Sequence, residues 1–307
     1  MKKLMIAMAA AAVCGAAFAE EETATNAPET TVEENDSIVS AEASLKFDSK
    51  YLSYGFVDNR APILTPGAEV SFFDALTVGV EAIFDTTPYG RAAGYGNRGG
   101  KYSELHPYLE VSHSFTSEDF EWLPTTVDVS LNWMYEYHPE FKARHGYHDR
   151  TWDDNTHFLT LEFGLPDLWL EPVFYIERDL MRDDGTYVNL ELGHTFALVE
   201  GESEEDDAVL TLRPSVAQGF GNNQRVKAYA VRETYGEGYN RAGFMDTMFK
   251  LAMEWKLCDA AKISGYVGYS DFLLDRRIRH GARNYEWSGR WDESWNFVCG
   301  LALIVGF

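Results

Sequence analysis

Beyond residue 19 the chain has no long hydrophobic run. No stretch approaches the roughly 20 consecutive apolar residues that a membrane-spanning helix needs, and the mean hydropathy of −0.30 is ordinary for a polar chain. A helical membrane protein is therefore excluded. A membrane β-barrel is not, because only every second residue of its strands faces lipid and the average hides this alternation.

Basic residues and cysteines are also scarce. Lys and Arg number 26 against 49 Asp and Glu, and the net charge is −23, so nucleic acid is not an expected partner. The part of the chain after residue 19 keeps Cys258 and Cys299 as its cysteines. We expect them at a turn and at mid-membrane depth on different hairpins, too far apart for a disulfide.

The N-terminal segment predicts export from the cytoplasm. Lys2 and Lys3 precede an apolar run, and the small-x-small triplet of residues 17–19 follows. This pattern indicates a secretory signal peptide over residues 1–19. Residues 20–42 are acidic and almost without large apolar groups, so we expect a disordered leader on the periplasmic side.

Residues 43–307 are predicted to form an all-β, transmembrane, antiparallel up-and-down β-barrel of about twelve strands. The first strand is predicted over about residues 43–56, with Leu45, Phe47 and Tyr51 together on its outward, apolar face. From Trp295 to Phe307 every odd position is apolar or aromatic, and side chains at alternate positions of a strand share one face. That apolar face continues to the last residue, which is typical of the closing strand of an outer-membrane barrel. Within one strand alone, the same alternation would also fit a soluble sandwich.

The connections between strands favour the membrane barrel. Short turns are predicted at 74, 166–168 and 258–260, and long loops at 86–103, 138–154, 221–242 and 272–293. Short turns at one end and long loops at the other are the outer-membrane arrangement. Strand register is left open near three prolines, because a proline interrupts the ladder of hydrogen bonds; these are Pro66, Pro172 and Pro214.

Residues 43–85 carry a likeness to a known family. Their sequence has an aromatic-Ser-x-Gly strand, then a short loop with Pro62 and a second aromatic strand; the first of these contains Tyr51, Ser53, Tyr54 and Gly55. The segment resembles the opening hairpin of the TorF-like porins of Gram-negative bacteria, although that family often has an arginine near the glycine. The resemblance implies a small barrel that acts as a channel.

The predicted inward faces carry more acid than base. The acidic residues that we predict to line a pore are Asp48, Glu81, Glu110, Asp128, Glu136, Glu162, Glu177, Glu191, Asp246 and Glu254. The basic residues predicted on the inward faces are Lys46, Lys50, Arg213 and Lys250. Such groups either line a narrow wet channel that prefers cations or small solutes, or pair with one another in a packed interior.

The last long loop, around residues 276–290, is basic and aromatic. Its predicted site residues are Arg276, Arg277, Arg279 and Arg283. Folded inward, they would form a constriction that grips carboxylated or phosphorylated solutes through guanidinium contacts. Left outside, they would face the phosphates of lipopolysaccharide. The sequence leaves both directions open.

Two kinds of site receive little support from the sequence. His138, His145, His148 and His157 crowd one loop with several aspartates, but their spacing fits no metal-ligand pattern. His113, His157 and His194 fall on the outward phase, yet no serine is placed beside them and the Gly-x-Ser-x-Gly elbow of hydrolases is absent. We therefore predict no catalytic residues, no metal and no cofactor.

The sequence thus predicts a channel of the cell outer membrane for passive diffusion of small hydrophilic solutes or ions. The alternative is a non-conducting barrel that acts through its long extracellular loops. The predicted partners are outer-membrane lipid and lipopolysaccharide, the solutes, and the barrel-assembly machinery, which the resemblance implies would bind the C-terminal strand ending at Phe307.

Overall fold

The computed structural model describes residues 39–87, 100–138, 155–201, 208–230, 239–285 and 294–307. The predicted signal peptide, and the predicted leader up to residue 38, lie outside these ranges, as do parts of the loops after residues 87, 138, 230 and 285. Within the described ranges, no helix is long and apolar enough to cross a membrane.

The described residues are mostly strand, with two short helices. The strands are β1 Val39–Asp48, β2 Tyr51–Ser53, β3 Phe56–Asn59, β4 Ile63–Phe72, β5 Leu76–Asp85, β6 Lys101–Phe115, β7 Val127–Glu136, β8 Thr156–Gly164, β9 Val173–Asp179, β10 Thr186–Gly193, β11 Phe196–Val199, β12 Leu210–Gly221, β13 Gly243–Cys258, β14 Ala261–Asp271 and β15 Trp295–Gly306. The helices are α1 Asn223–Tyr229 and α2 Arg276–Tyr285.

The strands close into one antiparallel barrel. Neighbours in the sequence pair along the wall, and β1 pairs with β15, with Leu45 opposite Leu303. β10 and β11 both pair with β12 and together occupy one position of the wall. In the described part of the chain the barrel therefore has 12 strand positions, which confirms the predicted fold class.

The outward face of the wall is apolar, as the alternation predicts. Along β15, Leu301 is 57% exposed and Leu303 is 45% exposed, whereas Ala302 between them is 8% exposed. Equivalent positions on other strands expose Leu45, Val78, Val111, Leu131, Leu251 and Val267. A belt of exposed aliphatic side chains around a barrel has the character of a lipid-facing surface.

The three prolines do not shift the register. Pro66 lies opposite Leu45, and Pro214 lies opposite Leu251, both on the outward phase. Pro172 lies in the turn before β9, where its carbonyl accepts a hydrogen bond from Leu165 N. The predicted inward and outward faces of these strands are therefore kept.

The first predicted strand is wrong in part. We expected one strand over residues 43–56 with Tyr51 on the outward face. Instead β1 begins earlier, at Val39, and ends at Asp48, and residues 51–59 form a separate hairpin, β2–β3. Tyr51 points into the barrel, where its hydroxyl donates to Glu104 Oε2 at 3.1 Å.

The connections follow the predicted lengths in part. Short turns join β4 to β5 and β13 to β14 at one end of the barrel, which we call the turn end, whereas the β8–β9 connection at the same end, predicted as a turn at 166–168, spans residues 165–172. The connections that contain the hairpin, α1 and α2 lie at the opposite end, the loop end. The barrel interior between these two ends holds the candidate site.

Candidate functional site: the barrel lumen

The hairpin β2–β3, which we call the inward hairpin, folds into the lumen. Its turn residues Tyr54 and Gly55 have positive φ values of 52° and 84°. Gly55 lies so close to Asp246 of β13 that a side chain there would overlap the Asp246 Cβ. A glycine at the tip permits both the left-handed backbone and the close approach to the wall.

Polar contacts tie the inward hairpin to distant parts of the wall. Asn59 Nδ2 donates to Asp85 Oδ1 of β5 at 2.8 Å, and the Tyr54 hydroxyl donates to Glu177 of β9. With the Tyr51 contact to Glu104 on β6, the hairpin reaches several strands on different sides of the barrel. It therefore crosses the lumen rather than lying on its rim.

An apolar cluster, the apolar cap, closes around the hairpin at the loop end. The Phe56 ring of the hairpin lies 4.7 Å from that of Phe272 and 5.4 Å from that of Tyr229, centroid to centroid. The cluster also includes Val226 of α1 and Ile278 of α2, both buried. The two helices thus pack over the hairpin and fix its position through apolar burial.

A buried arginine holds the tip of the hairpin. Arg225 of α1 is 0% exposed; its guanidinium lies 3.4 Å from Glu177 and 3.3 Å from Asp183, and 4.3 Å from the centroid of the Tyr54 ring. Burial raises the pKa of the Asp183 carboxyl, although Arg225 beside it acts in the opposite direction. This group combines a buried ion pair with a cation–π contact.

A second polar group lies where β7 meets the loop after β9. Arg182 donates through Nη1 to Glu136 Oε1 at 2.8 Å and through Nη2 to the Tyr229 hydroxyl at 3.1 Å. His138 Nε2 lies 2.6 Å from the same Glu136 oxygen. The His138 imidazole therefore contacts a carboxylate of the barrel wall. His145 and His148 lie outside the described residues.

The inward hairpin lines a cavity of ≈ 560 Å³ inside the barrel, which we call the lumen cavity. Of the predicted site residues, it is lined by Lys46, Asp48, Glu81, Glu136, Glu177, Glu191 and Asp246. Lys46 of β1 pairs with Glu81 of β5, which lies two strands away along the wall. Lys50 instead lines a smaller adjoining cavity of ≈ 220 Å³ and donates to Asn296 Oδ1 at 3.2 Å.

The other predicted wall residues make local contacts elsewhere on the inward face. Arg213 pairs with Glu171 and Glu191, and Lys250 lies 3.4 Å from Glu191. Glu254 lies 3.3 Å from Lys262. Glu110 accepts from Asn132 and Asp128 from Ser114, while Glu162 lies beside them on β8.

Near the turn end, Glu171 joins two parts of the wall. Its carboxylate accepts hydrogen bonds from the Thr195 amide at 2.6 Å and hydroxyl at 2.7 Å, at the break between β10 and β11. Burial alone would raise the pKa of this carboxyl, but the Thr195 and Arg213 contacts outweigh it and lower the pKa. Glu171 is therefore held as a carboxylate.

The last loop, for which the sequence leaves an inward and an outward direction open, carries α2 and its arginines. Arg276 and Arg277 are exposed, Arg277 pairs with Asp275 at 2.6 Å, and Arg279 donates to Asp271 at the wall. None of these three lines the lumen cavity. The side chain of Arg283 lies outside the described residues. The inward hairpin, not this loop, is the element that narrows the lumen.

Sequence reasoning missed the part of the site that the inward hairpin and its neighbours provide. The missed lining residues are Tyr51, Tyr54, Glu104, His106, His138, Arg182, Tyr187 and Tyr229. The one available signal was Gly55, since glycine is favoured in turns because it adopts positive φ at no steric cost. Nothing in the sequence gives the direction in which that turn points.

The outward histidines are packed among aromatic rings. His157 stacks on Trp133 and Tyr135 with centroids 5.4 and 4.7 Å away, and His194 stacks on Trp169 at 5.2 Å. Such contacts suit an interfacial aromatic girdle. Among the described residues, no group of three or more His, Cys, Asp or Glu side chains is arranged to hold a metal ion.

Comparisons with known proteins return structural likeness alone. No family model matches the chain, and no curated protein matches it. An outer membrane channel from Pseudomonas putida F1 is 11% identical, with 90% of this chain and 100% of that chain covered and a TM-score of 0.46. The NanC porin is 7% identical, with coverage of 87% and 98% and a TM-score of 0.44. Acinetobacter baumannii Omp33 is 8% identical, with coverage of 88% and 97% and a TM-score of 0.34.

Proposed function

We propose that this chain is an outer-membrane channel through which small hydrophilic solutes or ions diffuse passively. One observation carries the proposal: a closed barrel with an apolar outer belt encloses a cavity of ≈ 560 Å³ lined by charged and hydroxyl-bearing side chains. A barrel that served only as a scaffold would have no need to keep ionised groups around internal space, because burying them is costly. The acidic lining is the feature that would set ion preference.

The proposal includes the surroundings of the barrel. Outer-membrane lipid contacts the apolar belt, lipopolysaccharide contacts the loop end, and the C-terminal strand ending at Phe307 is the segment that the assembly machinery would bind. The inward hairpin acts as the narrowest part of the path. Its position predicts that the intact barrel conducts weakly and that removal of the hairpin increases conductance.

The test is single-channel recording in planar bilayers. The wild type is compared with a variant in which residues 51–59 are replaced by a Gly-Ser linker of equal length. We expect small discrete steps for the wild type and clearly larger steps for the variant. A matched control replaces residues 117–122, in a turn-end connection, with the same type of linker and should keep the wild-type conductance.

A second candidate function is a non-conducting barrel that acts through its loops. The apolar cap favours it, because Phe56, Phe272 and Tyr229 pack tightly across the loop end. If both the wild type and the hairpin variant are folded, as judged by heat-modifiable migration, and both are silent, the channel proposal is refuted and this second function takes its place.

A further inference from the structure

The lumen cavity has a strong excess of negative charge. Its lining includes eight carboxylates but one lysine and one arginine; the carboxylates are Asp48, Asp58, Glu81, Glu104, Glu136, Glu177, Glu191 and Asp246. The two lining bases are already engaged, Lys46 by Glu81 and Arg182 by Glu136. The lining carboxylates would therefore repel an anionic solute, and neither lining base would be available to bind it.

Two of the lining carboxylates receive hydrogen bonds from neutral donors. Asp48 accepts from the Tyr266 hydroxyl at 2.7 Å, and Asp246 accepts from the Tyr187 hydroxyl at 2.8 Å. Among the described residues neither has a basic side chain within ion-pair distance. Tyrosine hydroxyls stabilise a carboxylate but do not neutralise it, so these two positions attract a cation.

A buried imidazole faces the same space. His106 lines the cavity and is 7% exposed. Its Nε2 lies 3.3 Å from Glu104 Oε2, so this imidazole is paired with Glu104. It therefore leaves the charge of Asp48 and Asp246 available to a solute in the cavity.

One guanidinium group of the protein itself already lies in such an environment. The Arg225 guanidinium lies over the Tyr54 ring at 4.3 Å and beside Glu177 at 3.4 Å, and both of those residues also line the lumen cavity. Tyr51, Tyr175 and Tyr187 add further rings to the lining. Aromatic faces beside carboxylates are the usual way in which proteins recognise amine and guanidinium groups.

We propose that the lumen cavity is a binding site for small organic cations that carry amine or guanidinium groups. Its volume of ≈ 560 Å³ falls within the 300–1,000 Å³ of typical small-molecule sites. Asp48 and Asp246 provide the charge, the tyrosines provide the apolar and cation–π contacts, and the inward hairpin forms part of the wall. The proposal rests on the channel function for the route by which the solute arrives.

The first test is calorimetric titration of the detergent-folded full-length barrel with agmatine, and with glutarate as an anion of similar length. We expect saturable binding of agmatine and none of glutarate. Asp246→Asn and Asp48→Asn should each weaken agmatine binding about tenfold, the usual effect of losing one charged hydrogen-bond partner. Asp259→Asn, in the exposed turn before β14, removes the same charge and should leave the affinity unchanged.

The second test is current block by agmatine in a planar bilayer. We expect reversible block of the wild type that is weakened in Asp246→Asn, with migration on gels confirming that each variant is folded. A conducting barrel that neither binds nor is blocked by agmatine refutes the cation site and leaves the channel function standing. If the wild type and the hairpin variant are both silent but the wild type still binds agmatine by calorimetry, the channel function is refuted and the site is supported. Equal affinity for glutarate would also overturn the proposal.

Discussion

Replacing Arg225 with methionine should release the inward hairpin. The substitution keeps most of the side-chain volume but removes the charge that Glu177 and Asp183 share in a site where Arg225 is 0% exposed. Removing one partner of a buried ion pair costs about 3–5 kcal/mol, since the other charge remains buried and unpaired. The Tyr54 ring, 4.3 Å from the guanidinium, loses its cation–π contact as well.

That free energy predicts a large change in local opening. Each 1.4 kcal/mol corresponds to a factor of ten, so the protection of hairpin amides against hydrogen exchange should fall by about two to three and a half orders of magnitude. The assay is hydrogen–deuterium exchange of the folded barrel, read over residues 51–59 and over β15 as an internal reference. Exchange along β15 should not change, because Arg225 has no contact with that strand among the described ion pairs.

A neighbouring arginine provides the matched control. Arg178 pairs with Asp184, the residue after Asp183, but both side chains are exposed to water, at 37% and 67%. An exposed pair contributes about 0–1 kcal/mol, so Arg178→Met should leave hairpin exchange nearly unchanged. The triple variant Arg225→Met, Glu177→Gln and Asp183→Asn removes all three charges and should recover much of the protection. Unaltered exchange in Arg225→Met would refute the reasoning.

Three further predictions follow from other contacts. Gly55→Val should displace the hairpin tip and raise single-channel conductance, because valine disfavours a φ of 84° and would overlap Asp246; conductance equal to wild type would count against a wall-bound tip. The contacts that lower the pKa of Glu171 stabilise the folded state at pH values above 4.5, the ordinary pKa of a glutamate, and this stabilisation is lost as the pH falls through the lower pKa of the folded state. The melting temperature should therefore fall less on acidification in Glu171→Gln than in the wild type, and the same dependence of melting temperature on pH in both proteins would contradict this. Deleting Phe307 should reduce the folded fraction in cells without reducing refolding in detergent, as measured by heat-modifiable migration; equal loss in both would point to a purely structural role.

The wall of the barrel could be predicted because each strand carries its own signal. The alternation along β15, with Leu301 exposed and Ala302 buried, is readable from neighbouring residues, since successive side chains of a strand point to opposite faces. The inward position of Asp48, Glu81 and Asp246 followed from the same rule. Even the prolines fit the predicted register, because Pro66 and Pro214 occupy outward positions.

The contents of the lumen could not be predicted in the same way. We expected residues 43–56 to form a single strand and considered an arginine constriction from the last loop. The structure instead ends β1 at Asp48, turns the Tyr51–Asn59 segment inward and leaves Arg276 and Arg277 exposed. The TorF-like resemblance stays a prediction, since no family model matches the chain.

The sequence by itself thus determined the barrel, its count of about twelve strands, and the inward and outward phase along the wall strands, because these depend on a period of two residues within each strand. Only the tertiary structure decided what fills the interior. The inward hairpin is held by partners far away in the chain: Tyr54 contacts Glu177 and Arg225, and Phe56 contacts Phe272. Contacts of such long sequence separation leave no periodic trace, so their choice depends on closure of the barrel, which brings those residues around one lumen.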